Sequence, residues 1–366
     1  MIKRINTFTI FCLAAAGIFS CAVGQKPETN TPVSADLDFT QLIQPVPTRA
    51  VLKDSLYYTW CGTMVADSKG TYHLFYSRFK RELGFSAWVT HSEVAHAVAD
   101  NPLGPYTFKD VTLPPRGREY WDGLCTHNPT VHEFDGKYYL YYMGNTGDGK
   151  VTPKGLNFVH RNNQRIGVAV ADSPDGPWKR FDSPLIDVSP DSTADDALVV
   201  NNPSITRKPD GGFLMVYKAV GKKKPAPFGG PVVHKVAISD SPLGPFRKQP
   251  GTVFEAKGSD FPAEDPFIWY QSGRYWAIVK DMHGAFTRAG QSLALFQSAD
   301  GLDWQLAKHP LVSKLEIKWA DGRVEKVAHL ERPQLWLKDG KPQVLFLASD
   351  VDPSQSFNVH IPLKTN

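Results

Sequence analysis

One short figure, written five times along the chain, constrains the fold more than any other feature. A turn dipeptide opens onto an alternating aromatic run in Lys69-Gly70-Thr71-Tyr72-His73-Leu74-Phe75-Tyr76 and in Asp135-Gly136-Lys137-Tyr138-Tyr139-Leu140-Tyr141-Tyr142. Asp210-Gly211-Gly212-Phe213-Leu214-Met215-Val216-Tyr217, Ser272-Gly273-Arg274-Tyr275-Trp276-Ala277-Ile278-Val279 and Asp339-Gly340-Lys341-Pro342-Gln343-Val344-Leu345-Phe346 complete the set. Glycine at the turn supplies the left-handed residue a tight hairpin needs, and a period of two suits a half-buried strand. Before four of the hairpins a strand opens on a shared register: Asn128-Pro129-Thr130-Val131, Asn202-Pro203-Ser204-Ile205, Asp265-Pro266-Phe267-Ile268 and Arg332-Pro333-Gln334-Leu335. Thr63-Met64-Val65 holds that place in the first copy. Proline has no N–H for a ladder, so the register predicts the first residue of an inner strand.

A third element follows the hairpin. It reads Asp100-Asn101-Pro102-Leu103-Gly104-Pro105-Tyr106, Asp172-Ser173-Pro174-Asp175-Gly176-Pro177-Trp178 and Asp240-Ser241-Pro242-Leu243-Gly244-Pro245-Phe246, with Ser298-Ala299-Asp300-Gly301-Leu302-Asp303-Trp304 as a degenerate copy. Proline and glycine across a tight turn, then an aromatic, predict the loop between two outer strands. Each unit is therefore a four-stranded meander, and five meanders repeating radially predict an all-β, five-bladed β-propeller. Twelve per cent aromatic residues with 29 Gly and 29 Pro agree with short strands and tight turns, and argue against a helical bundle.

The remaining composition narrows partners. The net charge of +4 is the balance of 41 basic and 37 acidic residues spread along the chain, which leaves no footprint for nucleic acid. Lys222, Lys223 and Lys224 read as a solvated loop tip. At the N-terminus, Lys3 and Arg4 precede an apolar stretch from Phe8 to Phe19, too short for a permanent span, so residues 1–24 read as an export signal. Ile18-Phe19-Ser20-Cys21 resembles a lipoprotein box that would leave Cys21 lipidated; cleavage after Ala22-Val23-Gly24 is the alternative. Residues 25–50 then form a tether or N-terminal arm, and 51–366 the propeller. The expectation is an exported chain, periplasmic or on the outer membrane, that meets a membrane only through that lipid. Cys61 and Cys125 are the cysteines left to the mature domain, and small buried residues are expected there in preference to a disulfide.

The strand-opening Asp-Pro and Asn-Pro pairs, the glycine-led aromatic hairpins and the Ser-Pro-x-Gly-Pro-aromatic loops together resemble the five-bladed glycoside hydrolases of family 43, over about residues 57 to 350. Trp121-Asp122-Gly123, His127-Asn128-Pro129-Thr130, Glu264-Asp265-Pro266-Phe267 and Glu331-Arg332-Pro333-Gln334 look closer to family 117, whose members remove a terminal anhydro-galactose from agar-type oligosaccharides. The resemblance implies an aspartate base, a second aspartate that tunes pKa and orients, and a glutamate acid on separate inner strands. It implies Asp122, Asp265 and Glu331 as the corresponding carboxylates. Family 43 places its base at the opening of the first blade, where this chain has Trp60-Cys61-Gly62-Thr63 and no carboxylate.

The residues themselves allow a related reading. Glycoside hydrolysis needs one carboxylic acid to protonate the leaving oxygen and one carboxylate to activate water or attack carbon. Inner-strand openings line the axial funnel of a propeller, so acids in or beside the proline register are the ones able to converge. Asp265 stands directly before a register proline with Glu264 beside it, and strand alternation predicts that only one of the two reaches the funnel. Glu331 is either an acid catalyst or an ion-pair partner of Arg332. Asp122 and Asp196 each lie six residues ahead of their register asparagine, so one can be the structural echo of the other. Trp60, Trp121, His127, Asn128, Asn202, Glu264, His283, His329 and Arg332 are the candidates for substrate binding. The three histidines can also be general acids, ligands of an axial metal or structural groups, and the tryptophans can be blade core. The 11 His include no His-Glu-x-x-His pair and no zinc-spaced Cys/His cluster, so no catalytic metal and no cofactor is expected, although a structural axial cation is compatible. Serine-nucleophile, Walker and dinucleotide motifs are missing. The expected activity is exo-acting hydrolysis of an oligo- or polysaccharide, with long loops at 144–165 and 219–233 closing the funnel. A non-catalytic sugar-binding propeller and a polysaccharide lyase are the alternatives.

Overall fold

The computed structural model describes residues 36–152, 154–352 and 354–364, together with Met1. The export signal, the lipoprotein box and the first part of the tether lie outside the described residues. From Asp36 onward the chain builds five antiparallel sheets around one axis, and each sheet corresponds to one copy of the repeat.

The innermost strands are Tyr57–Ala66, Cys125–Phe134, Val199–Arg207, Ala263–Gln271 and His329–Lys338. Each pairs outward with its hairpin partner, namely Tyr72–Lys80, Lys137–Asn145, Phe213–Val220, Arg274–Asp281 and Lys341–Asp350. A third strand follows in every blade. Blade two replaces a regular fourth strand with two isolated bridges, Val170 to Lys179 and Ile166 to Ile186. In blade five the fourth strand is Val51–Leu52, which pairs with Asn358 and Val359 of the C-terminal strand. The ring is thus closed by an early segment hydrogen-bonded to a late one, which removes a free edge from the last blade.

The Pro-Gly loops lie where they are expected, between third and outer strands. Their aromatics fold back on the loop: Tyr106 Oη donates to the Pro102 carbonyl at 2.9 Å and Trp178 Nε1 to the Pro174 carbonyl at 3.2 Å. The arm before residue 51 packs on the body from Asp36 on. Asp38 caps a single helical turn, Phe39–Leu42, by accepting from the Thr40 amide at 3.0 Å, and Phe39 is buried edge-on against Trp269. Between blades the core is layered aromatic and branched side chains, with Trp269, Trp276, Tyr141 and Phe346 fully buried.

The register proline has a different position from the one predicted. Inner strands begin three or four residues earlier, and the proline sits inside them at a bulge. The residue before it, and before Gly62 at the equivalent place in blade one, is left-handed in every blade: Cys61 at φ 58°, Asn128 at 52°, Asn202 at 49°, Asp265 at 55° and Arg332 at 52°. Ladder pairing skips at each of these points. A bulge leaves one amide unpaired, so a residue without an N–H fits there at no cost in hydrogen bonds. Five non-glycine residues in the left-handed region, at equivalent places of the five blades, make backbone strain a repeated feature of the axis.

Candidate active site

The bulge turns two successive side chains of each inner strand toward the axis, and this builds two stacked rings. The first comprises Cys61, Asn128, Asn202, Asp265 and Arg332. Asn128 Nδ2 donates to Asn202 Oδ1 at 2.5 Å, and Asn202 Nδ2 donates to Asp265 Oδ1 at 2.7 Å. Asp265 accepts from the Arg332 amide at 3.3 Å and faces its Nη1 at 3.5 Å, while Arg332 Nη2 returns to the Asn128 carbonyl at 3.4 Å. Cys61 Sγ closes the circle on Asn128 Oδ1 at 2.8 Å.

The second ring holds the preceding residues: Trp60, His127, Asn201, Glu264 and Glu331. With all of the first ring except Cys61 they line a cavity of about 250 Å³. Strand alternation therefore fails where it was applied to Glu264 and Asp265. Both line the cavity, because the left-handed Asp265 breaks the up-down sequence of a regular strand. Phe79, Phe85, Trp88, Phe228 and Phe261 give the cavity an aromatic wall. Its roof comes from the two long loops, with Leu156, Arg161 and Gln164 from one and Val220, Phe228 and Val232 from the other. Arg161 Nη1 donates to the Phe228 carbonyl at 2.5 Å and Asn162 Nδ2 to that of Pro227 at 3.0 Å, which ties the loops together.

Charge is balanced tightly inside this space. Lys218 Nζ donates to Glu264 Oε1 at 2.5 Å. Lys280 Nζ is bonded to Glu331 and lies 3.8 Å from Glu264 Oε2. Arg332 turns to Asp265 and leaves its neighbour Glu331 to the lysine. Burial favours the neutral form of Glu264, yet the two ammonium groups outweigh it and hold its carboxyl down at about 2. Burial first and the Glu264 charge second lift Asp265 to about 6, against the pull of Arg332. One carboxyl near neutrality beside fixed carboxylates is the arrangement acid–base chemistry uses. Burial, Arg332 and Lys218 depress His127 to about 3, so this imidazole is neutral and acts through hydrogen bonds, one of them with Ser92 Oγ at 2.7 Å.

Asp265, Glu331, Glu264, Trp60, His127, Asn128, Asn202 and Arg332 are thus brought together. Asp122 is not. It is fully buried in the loop entering blade two, and its carboxylate is consumed by Arg116 Nη2 at 2.6 Å, Arg180 Nη2 at 2.8 Å and Tyr142 Oη at 2.6 Å. Asp196 is its echo, bonded to Lys248 Nζ at 2.6 Å and facing Tyr217 Oη at 3.4 Å, so both members of the pair are blade anchors. Trp121 also departs from the expected site: it stacks on Tyr142 with centroids 5.8 Å apart and donates to the Phe181 carbonyl. His283 is exposed on a loop whose amides are gathered by Asp281, outside the cavity. His329 stands behind Trp60, at 6.3 Å between centroids, bonded to Asp350 at 2.8 Å and raised in pKa by that bond.

Four polar residues that line the cavity were not expected from sequence, Lys218, Asn201, Gln164 and Arg161, and neither was Lys280, which pairs with Glu331 and Glu264 behind the lining. The two lysines had a signal. Lys218 is the one charge in its hairpin strand, Lys280 follows the apolar run Tyr275–Val279 of its own, and each pairs directly across from a second-ring residue, Lys218 with Asn201 and Lys280 with Glu264. Both cysteines of the described body are free and buried, and burial pushes the Cys61 thiol far up and that of Cys125 to about 12.

A strained axial ring beneath a cavity of paired acids defines the molecule as a five-bladed propeller of the kind found among glycoside hydrolases. A family 117 glycoside hydrolase from the marine bacterium Zobellia galactanivorans superposes with a TM-score of 0.58 at 16% identity, over 88% of each chain. A thermostable family 43 glycoside hydrolase gives 0.55 at 13%, over 89% of this chain and 96% of its own. A mutant α-L-arabinanase from Cellvibrio cellulosa gives 0.55 at 17%, over 86% and 94%. At such identities the likeness establishes the fold. No family model and no curated protein matches the sequence.

Proposed function

We propose that the protein is an exported, exo-acting glycoside hydrolase that removes a terminal sugar in the axial cavity. The observation that carries this reading is the convergence of Asp265, Glu264 and Glu331 from two separate blades onto one aromatic-walled space, with their charges set apart by Lys218, Lys280 and Arg332. Asp265, close to neutrality, donates the proton to the leaving oxygen, and Glu331 activates water or attacks the anomeric carbon. Glu264 stays ionised and fixes both lysines. Arg332 places a permanent positive charge at the axis, so the scheme needs no cofactor and no axial cation.

Two features support a sugar as the ligand. Gln164 Nε2 and Asn201 Oδ1 are buried without a hydrogen-bond partner, a free donor and a free acceptor side by side, as one hydroxyl requires. A cavity of about 250 Å³, below the roughly 300–1,000 Å³ of pockets for drug-sized ligands, suits one ring of a chain end. Export rests on the basic pair and apolar run at the N-terminus, and lipidation on Cys21. A non-catalytic sugar-binding propeller is the second reading, favoured by Cys61 occupying the ring position where family 43 implies a base. Incubation of the full chain with agar-, arabinan- and uronate-containing oligosaccharides, followed by product analysis, tests the proposal. Release of single terminal sugars, abolished by Glu331→Gln, supports it. Binding without turnover on every substrate class favours the second reading, and turnover that survives Glu331→Gln and Asp265→Asn overturns the assignment.

A further inference from the structure

Away from the axis, between blades one and two, two buried histidines face each other. His73 stands on the hairpin strand of blade one and His96 on the strand beside it, with His73 Nδ1 only 2.9 Å from His96 Nε2. Asp175, in the Pro-Gly loop of blade two, brings Oδ1 to 3.5 Å from the same His73 nitrogen. The outer nitrogens also meet carboxylates: His73 Nε2 lies 3.4 Å from Asp67 Oδ2, and His96 Nδ1 lies 3.7 Å from Asp110 Oδ2. Phe75, stacked on His96 at 4.7 Å and edge-on to Trp178, closes the apolar side.

Proton counting makes this cluster unusual. A neutral imidazole carries one N–H, and a nitrogen facing a carboxylate should be the one that carries it. With both outer nitrogens protonated toward Asp67 and Asp110, the inner pair present two lone pairs to each other at 2.9 Å, beside a third acceptor. Moving a proton inward relieves the centre only by setting a bare nitrogen against a carboxylate. A positive charge in the centre, carried by a metal ion or by one more proton held between the two imidazoles, satisfies all four nitrogens at once. Carboxylates behind histidines, with the near nitrogens convergent, are the outer-shell pattern of metal-bound imidazole.

We propose that His73, His96 and Asp175 form a binding site for a divalent transition ion, zinc foremost, that pins blade one to blade two. Zn–N bonds of about 2.0–2.1 Å in a tetrahedron place ligand atoms roughly 3.3–3.4 Å apart. The His73–Asp175 separation of 3.5 Å already matches this, the imidazoles need to part by a few tenths of an ångström from 2.9 Å, and the His96–Asp175 side, the longest of a triangle whose ligand atoms all lie within 4.8 Å of one another, must close as the ion enters. Lys109, which bonds Asp175 at 2.5 Å, must give way; both partners are largely solvated, and such surface pairs hold weakly. Three protein ligands leave a fourth position for water at the blade surface. The ligands come from three strands and loops far apart in sequence, which is why no zinc spacing announces them.

Chelator-treated, tag-free full chain titrated with zinc alone should bind one equivalent, with a rise in Tm, and cobalt in its place should give d–d absorption of a four-coordinate site. His96→Gln should abolish that equivalent and Asp175→Ala weaken it by at least tenfold. Asp175 is half exposed, so its variant reports even where the histidine variant fails to fold. Failure of the wild type to take up one equivalent, or uptake unchanged in Asp175→Ala, overturns the proposal.

Discussion

Asp122 and Asp265 are both buried aspartates facing arginine, and their surroundings give them opposite tasks. Around Asp122 two guanidinium groups and a phenol use up both carboxylate oxygens, and it does not line the axial cavity. Asp265 has one guanidinium at a loose 3.5 Å, a pKa lifted to about 6 by burial first and by its Glu264 neighbour second, and open space in front. Burial beside arginine therefore does not identify a catalytic acid. What distinguishes one is incomplete satisfaction of the carboxyl together with room for substrate.

That contrast can be broken at several points. The largest effect is expected on turnover: Asp265→Asn and Glu331→Gln should each lower kcat by about 10²–10⁴-fold with the fold retained, measured on the purified variants. Equal losses from Asp122→Asn would erase the distinction. Asp122→Asn should act on stability, losing about 3–5 kcal/mol in denaturant titration because Arg116 and Arg180 keep their charges beside a neutral amide, while kcat per folded molecule stays the same. Next comes pH. The raised pKa of Asp265 means that its proton is present below about 6 and lost above it, so kcat should fall about tenfold per unit on the alkaline side. The limb should persist in Asp122→Asn and be missing from whatever activity Asp265→Asn retains. The smallest effect is expected at Cys61, which belongs to the ring without lining the cavity: Cys61→Ser keeps a donor to Asn128 and should change kcat by less than about tenfold.

The architecture was legible because a propeller writes its fold as repetition, and Asp265, Glu331, Arg332 and the register asparagines were legible because they belong to that repetition. What misled was local. A proline marks a missing N–H, and a strand start and a bulge both provide one, so the register alone could not tell that Glu264 and Asp265 share a face. Asp122 and Trp121 carried family-like neighbours, and although Arg116 lies in the same loop, their partners Arg180 and Tyr142 come from elsewhere in the blade, which no local motif reveals. Lys218 could have been found as the lone charge in an apolar strand, and Lys280 as a charge closing the apolar run Tyr275–Val279. The His73, His96 and Asp175 cluster could not, since register and blade packing alone bring it together.

The most direct test is a crystal structure of the Asp265→Asn chain with an oligosaccharide that the wild type cleaves. The terminal ring should occupy the axial cavity against Trp60 and Trp88, with the glycosidic oxygen about 3 Å from the residue 265 side chain and the anomeric carbon facing Glu331. A sugar seated elsewhere on the propeller, with the axial cavity holding only solvent, would contradict the account.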